Sequence, residues 1–188
     1  LKHKNDWYVD HARRLLQERA QGSQASKSKA PGLLRKAFLD SGSNPVHRLR
    51  AILALHAMHG IGQKILLQLM GDKDETIRGW AIQCALEDKK ASKHVLNHLE
   101  TMAKEDGSQF VRLYLASALQ RIPVDQRWSL AEALVAHEAD KDDHNLPLLY
   151  WYGIEPLVPA DKARALKLAA KAKIPLIRQY IARRSTSK

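Results

Sequence analysis

The stretch Asp72–Glu87, DKDETIRGWAIQCALE, decides how the rest of the chain is read. It opens on short polar residues suited to a helix N-terminus, Asp72, Asp74 and Thr76, whose side-chain oxygens accept from the first unpaired amides. Ile77, Trp80, Ala81, Cys84 and Ala85 then fall at i, i+3, i+4, i+7 and i+8. One face is therefore apolar, while Arg78, Gln83 and Glu87 occupy the other. The pattern predicts an amphipathic helix over 76–87 with Trp80 and Cys84 in the core.

Weaker copies of this stretch lie on both sides of it. Toward the N-terminus, Asn5 or Asp6 caps a helix over 5–20 whose buried side is Trp7, Val9, Ala12, Leu15 and Leu16. The polar run 21–30 reads as a flexible loop, Pro31 starts a short helix, and Asn44-Pro45 opens another that ends at Gly60 as its C-terminal cap. A partner helix follows and stops at Gly71. Toward the C-terminus, a helix over about 91–104 pairs with the reference helix. Asp106-Gly107 breaks the chain before SQFVRLYLASALQRI, and Pro123-Val124-Asp125 starts QRWSLAEALVAH. The acidic loop 138–145 leads into LPLLYWYGIEPLV, Asp161 starts KARALKLAAKA, and KIPLIRQYIARR closes the chain before a fraying tail.

Aligning the apolar residue that opens each first helix gives Val9, Val46, Ile77, Val111, Leu146 and Ile177, at intervals of 37, 31, 34, 35 and 31. Ile77-Arg78, Val111-Arg112 and Ile177-Arg178 share an apolar–Arg step. The expected fold class is all-α: an α-solenoid, or superhelix, of about five helical hairpins plus a closing helix, within one repeat domain over 1–188. The repeats fall near 5–40, 44–71, 72–105, 106–138 and 140–172, with the closing helix at 173–184. An ordinary helical bundle is the competing arrangement.

Composition narrows the partners. The net charge is +11, which points first to acidic partners and nucleic acid. However, residues 159–188 hold nine Lys/Arg against Asp161 alone, a net +8 that leaves +3 for 1–158. The surplus belongs to one end, so it argues against a nucleic-acid groove along the array. Cys84 is the single cysteine, which excludes an internal disulfide, a CxxC metal knot and a CxxCH haem attachment. No apolar run reaches the roughly 18 residues of a membrane span. The chain starts at Leu1 with no secretory apolar core following and is read as an excised domain.

Each candidate site has a plainer role beside the functional one. His94 with His98, and His56 with His59, share helix faces but lack a third zinc ligand, so no metal or cofactor is assigned. The loop Asp140–Asn145 clusters carboxylates but lacks a calcium loop's glycine and terminal glutamate, and reads as a solvated, helix-capping connector. Tyr150, Trp151 and Tyr152 point three ways from a helix, so at least one is exposed; they serve core packing or contact a ligand. Lys162, Arg164, Lys167 and Lys171 must largely face water, and with Arg183, Arg184 and the aromatic triplet they form the candidate interaction surface. No nucleophile–base set or phosphate-cradling loop is present, so no catalytic role is expected.

The acid-rich entry turns, the apolar–Arg step and a following alanine resemble HEAT repeats of the short bacterial type. In such arrays the repeated arginine bonds the acidic entry turn of a neighbour, so Arg78 or Arg112 is expected to meet Asp72, Asp74 or Asp106; an anion-binding ladder is the other reading. From Phe110 onward, FVRLYLASALQRIP, RWSLAEALVAH, DDHNLPLLYWYGIEPLV and IPLIRQYIARR resemble the HEAT-repeat segment of large secreted bacterial proteins described as membrane-bound dehydrogenases or haem-binding CxxCH proteins. WYVDHARRLLQER also looks like the start of that segment. The resemblance implies a module between a propeller and a cytochrome c domain, with flanking domains or another protein as partners. It also implies a periplasmic or cell-envelope address. No haem or redox residue carries over, because none of those motifs occurs here. The alternative is a nucleic-acid-binding HEAT-like protein of the DNA-alkylation-repair type.

Overall fold

Asp74 sets the start of the reference helix: its Oδ1 accepts from the amides of Thr76 and Ile77 at 2.9 and 3.2 Å. In the computed structural model, which describes residues 1–21, 28–40, 42 and 44–186, that helix runs Glu75–Ala85. Every regular element among the described residues is helical. In chain order these are α1 (Asp6–Gln21), α2 (Ala30–Leu39), α3 (Pro45–Ala57), α4 (Gln63–Leu69), α5 (Glu75–Ala85) and α6 (Lys93–Glu105). They continue with α7 (Gln109–Leu119), α8 (Trp128–Leu134), α9 (Leu146–Ile154), α10 (Leu157–Ala160), α11 (Lys162–Lys171) and α12 (Pro175–Thr186), with single 3-10 turns at Val124–Gln126 and Glu138–Asp140 ahead of α8 and α9. The polar run expected to be a flexible loop lies, over 22–27, outside the described residues, as do 187 and 188 of the tail. The tail residues Ser185 and Thr186 do not fray but complete α12.

Capping chemistry explains most of these starts. Asn5, Asn44, Ser92, Ser108 and Asp161 each accept from an amide of the first helical turn, and Asp143 does the same for Asn145 and Leu146 ahead of α9. Two breaks differ from expectation. The segment 146–158 is divided at Glu155-Pro156 into α9 and α10. Gly60 is not the left-handed residue after α3: His59 is, at φ 54°. Gly60 is needed for another reason, since a Cβ there would lie 2.6 Å from Leu55 Cδ1.

The chain forms two compact units, Leu1–Trp80 and Ala81–Lys188, and passes from one to the other within α5. In the first, α3 packs against both α1 and α2 around Phe38, Ile52 and Leu55. Arg48 joins three parts of this unit, donating to the Phe38 carbonyl at the end of α2 and to the Asp72 carboxylate before α5. Trp7, expected inside, is 64% exposed and stacks on His11. Trp80 is half-buried, not a core residue.

In the second unit, α7 packs on α9 and α9 on α12, while α6 packs on α8. Side chains bring α11 to α8: Arg164 lies 4.5 Å over the Trp128 ring, and Lys171 pairs with Glu132 at 2.9 Å. Leu99, Leu115, Leu119, Leu134, Ile154, Ile177 and Ile181 are fully enclosed. Each such aliphatic side chain contributes about 1.5–3 kcal/mol by leaving water. Cys84 is buried, as expected, and burial pushes its thiol up to about 12. Leu166 falls on the apolar side expected of α11 from sequence, yet it is 47% exposed.

One recurrent device runs through both units. Arg48, Arg78, Arg112 and Arg178 are each the fourth residue of their helix, with the amide bonded to the residue before the helix. Arg78, Arg112 and Arg178 each donate to the carbonyl six positions back, at Asp72, Asp106 and Ala172. The fourth residue of α9 is Leu149, so that helix lacks the device. By the same count His47, not Val46, matches Ile77, and Val46 is 52% exposed.

Candidate functional site

The sequence places Tyr150, Trp151 and Tyr152 on one helix, and packing separates their roles. Tyr150 is completely buried, and its hydroxyl donates to Asp140 Oδ2 at 2.7 Å. It therefore cannot belong to the interaction surface proposed for it from sequence. Asp140 is also buried, which corrects the solvated reading for that residue alone: Lys141, Asp142, His144 and Asn145 are exposed, and Asp143 caps α9. Arg112 clasps it through Nε at 2.7 Å and one terminal nitrogen at 2.8 Å, and Gln109 donates at 3.1 Å. Burial alone would raise the Asp140 pKa, but the hydrogen bonds from Arg112, Tyr150 and Gln109 outweigh it and hold the carboxyl below its ordinary value. The same burial and the same carboxylate push the Tyr150 hydroxyl up. This network is structural: every hydrogen bond it makes goes to another part of the unit.

Trp151 and Tyr152 have a different setting. With Leu148 on the same helix and Tyr180, Arg183 and Arg184 on α12, they line a surface cleft of about 310 Å³. Trp151 and Tyr180 meet edge to face, with centroids 5.2 Å apart and planes at 60°. Tyr152 is 54% exposed and Leu148 39%. Arg184 Nε is enclosed without a hydrogen-bond partner, 3.4 Å from Glu155 Oε1. The structure thus brings four of the expected residues, Trp151, Tyr152, Arg183 and Arg184, to one place.

The expected cations of α11 lie elsewhere. Arg164, Lys167 and Lys171 line a shallow hollow with Glu132 and Asp161. Glu132 takes Lys171 at 2.9 Å and faces Arg164 at 3.8 Å. A neighbouring hollow shares Glu132 and Lys171 with it and continues past Ser129 to Glu100 and Lys104, which pair at 2.6 Å on α6. The strip over α6, α8 and α11 therefore alternates in sign. Lys162 is exposed and lies outside these hollows.

Sequence reasoning missed Arg48, Arg127 and Asp140. Arg48 follows His47 instead of an aliphatic residue, so the apolar–Arg step hid it. Arg127 donates to the carbonyls of Ile122 and Gly153, and burial lowers its pKa. Glycine at 153 admits the close packing of α7 on α9, since a Cβ there would stand 2.5 Å from Leu119 Cβ. Among the described residues no cluster of three His, Cys, Asp or Glu is placed to hold a metal, and no helix is long and apolar enough to cross a membrane. No family model, curated protein or solved structure gives a significant match to the chain.

Proposed function

We propose that this chain is a non-catalytic protein-interaction or spacer module built as a HEAT-like α-solenoid. The recurrence of an arginine at the fourth position of α3, α5, α7 and α12 supports the repeat reading, as does the packing of α7 on α9 and α9 on α12 beside α6 on α8. The observation that carries the functional reading is the alternating charge of the strip over α6, α8 and α11. Glu100 faces Lys104, and Glu132 stands between Lys171 and Arg164. A phosphate backbone selects a track of like-signed cations, whereas mixed and partly paired charges suit a protein surface. The resemblance described above adds a setting between a propeller and a cytochrome c domain in a cell-envelope protein of a bacterium.

The nucleic-acid reading keeps one observation in its favour, the net +8 of residues 159–188. A salt titration with duplex and single-stranded oligonucleotides separates the two. We expect weak association that disappears near physiological ionic strength, because few phosphates are neutralised. Sub-micromolar affinity at about 0.15 M salt, where the Debye length is about 8 Å, overturns the interaction-module reading in favour of a nucleic-acid one.

A further inference from the structure

We propose that the cleft between α9 and α12 anchors an acidic peptide segment of a protein partner. The segment inserts one large apolar or aromatic side chain and sets a neighbouring carboxylate against the arginines of α12. This rests on the interaction-module reading and assigns it a site and a ligand chemistry.

Three observations converge on this. First, the walls are the side chains that carry binding energy at protein interfaces: Trp151, Tyr152 and Tyr180, with Arg183 and Arg184 at the edge. Leu148 and Tyr152 spend apolar surface on solvent, although Leu146, Tyr150 and Ile154 of the same helix are buried. Second, about 310 Å³ lies at the small end of ligand pockets, which run to roughly 1,000 Å³, and so suits one inserted side chain. Third, Arg184 Nε is enclosed with no hydrogen-bond partner while a carboxylate, Glu155, lies 3.4 Å away. The side chain as a whole is 38% exposed, so an incoming carboxylate meets the outer edge of the guanidinium while Glu155 keeps the enclosed Nε.

The charge layout favours a peptide over a nucleic-acid strand. Residues 146–160 contain no Lys or Arg and include Glu155, so the cations of the cleft come from α12 alone. A single carboxylate is satisfied there, whereas a phosphodiester chain crossing onto α9 meets no further cation.

The test is selection of random twelve-residue peptides displayed on phage against the whole chain, followed by anisotropy titration of the enriched peptides. The expected peptides combine an aromatic or large aliphatic residue with Asp or Glu close by. Tyr152→Ala and Arg184→Gln should each weaken them by at least about tenfold, and Leu148→Ser gives an independent loss at an exposed position. Unchanged melting temperatures establish that these variants fold. Lys90→Ala, at an exposed position outside the cleft and the strip, should change affinity by less than about twofold. Enriched peptides that lack carboxylates, or that bind the cleft variants equally well, overturn the proposal. So does an oligothymidylate that displaces the peptides at lower concentration than they displace one another, or a dimer abolished by Tyr152→Ala. If the peptides respond to Glu132→Lys, on the strip, and not to the cleft variants, the cleft assignment falls while the interaction-module reading stands. If selection enriches nothing, both fall.

Discussion

Arg48–Asp72 and Arg112–Asp140 are the same device in two settings. In each, an arginine in the fourth position of a helix reaches a carboxylate in a later connection and also donates to a backbone carbonyl. The difference is in how the carboxylate is enclosed. Asp72 keeps 12% of its side-chain exposure and turns one oxygen to the amide of Asp74. Asp140 has none and gathers Tyr150 and Gln109 besides the arginine. A partly wet ion pair can lose a member and let water replace it, but a dry one strands a charge. The second unit is therefore tied more tightly to its buried acid than the first.

The sharpest way to break this comparison is to remove each arginine. Arg112→Ala should cost about 3–5 kcal/mol, because it leaves Asp140 buried and uncompensated. Arg48→Ala should cost less, about 1.5–3 kcal/mol. Chemical denaturation of both variants checks the order, and equal losses would mean that burial of the partner carboxylate is irrelevant.

A second contrast concerns close approach. Gly153→Ala sets its new methyl against Leu119 Cβ, an atom fixed to the backbone, and should cost about 1–3 kcal/mol. Gly60→Ala meets first the mobile end of Leu55, so its loss should be smaller. Thermal melts of the pair decide it.

Tyr150→Phe removes one hydrogen bond to a buried carboxylate and should cost about 1.5–3 kcal/mol. It also tests the acid limb. Asp72 and Asp140 have folded pKa values below their ordinary ones, so their stabilisation is fully present above the unfolded value, about 3.9. It is lost as pH falls through the folded values. Stability should thus drop below about pH 4, and Tyr150→Phe should make that drop shallower by bringing the Asp140 pKa back up. An unaltered pH profile would detach Tyr150 from the ionisation of Asp140.

The sequence by itself determined the helices, the positions of most caps and the burial of Cys84, because these follow from local chemistry and a period of 3.6 residues. It also singled out Arg78, Arg112 and Arg178, whose bonds six residues back span a single turn and its connection. Tertiary structure decided what depends on residues far apart in the chain. Trp7 and Trp80 share the apolar spacing of their helices, yet neither is a core residue, since a face is buried only where a neighbour covers it. Three adjacent aromatics were legible as pointing apart, but nothing local distinguished Tyr150, bonded to an acid ten residues earlier, from Tyr152, left at the rim of a cleft. That cleft needed Tyr180, Arg183 and Arg184 of α12: the repeat spacing sets α9 and α12 at successive positions, but which of their side chains meet is decided by packing. Asp140 was one acid among several in a polar loop until Arg112, 28 residues away, took it out of water.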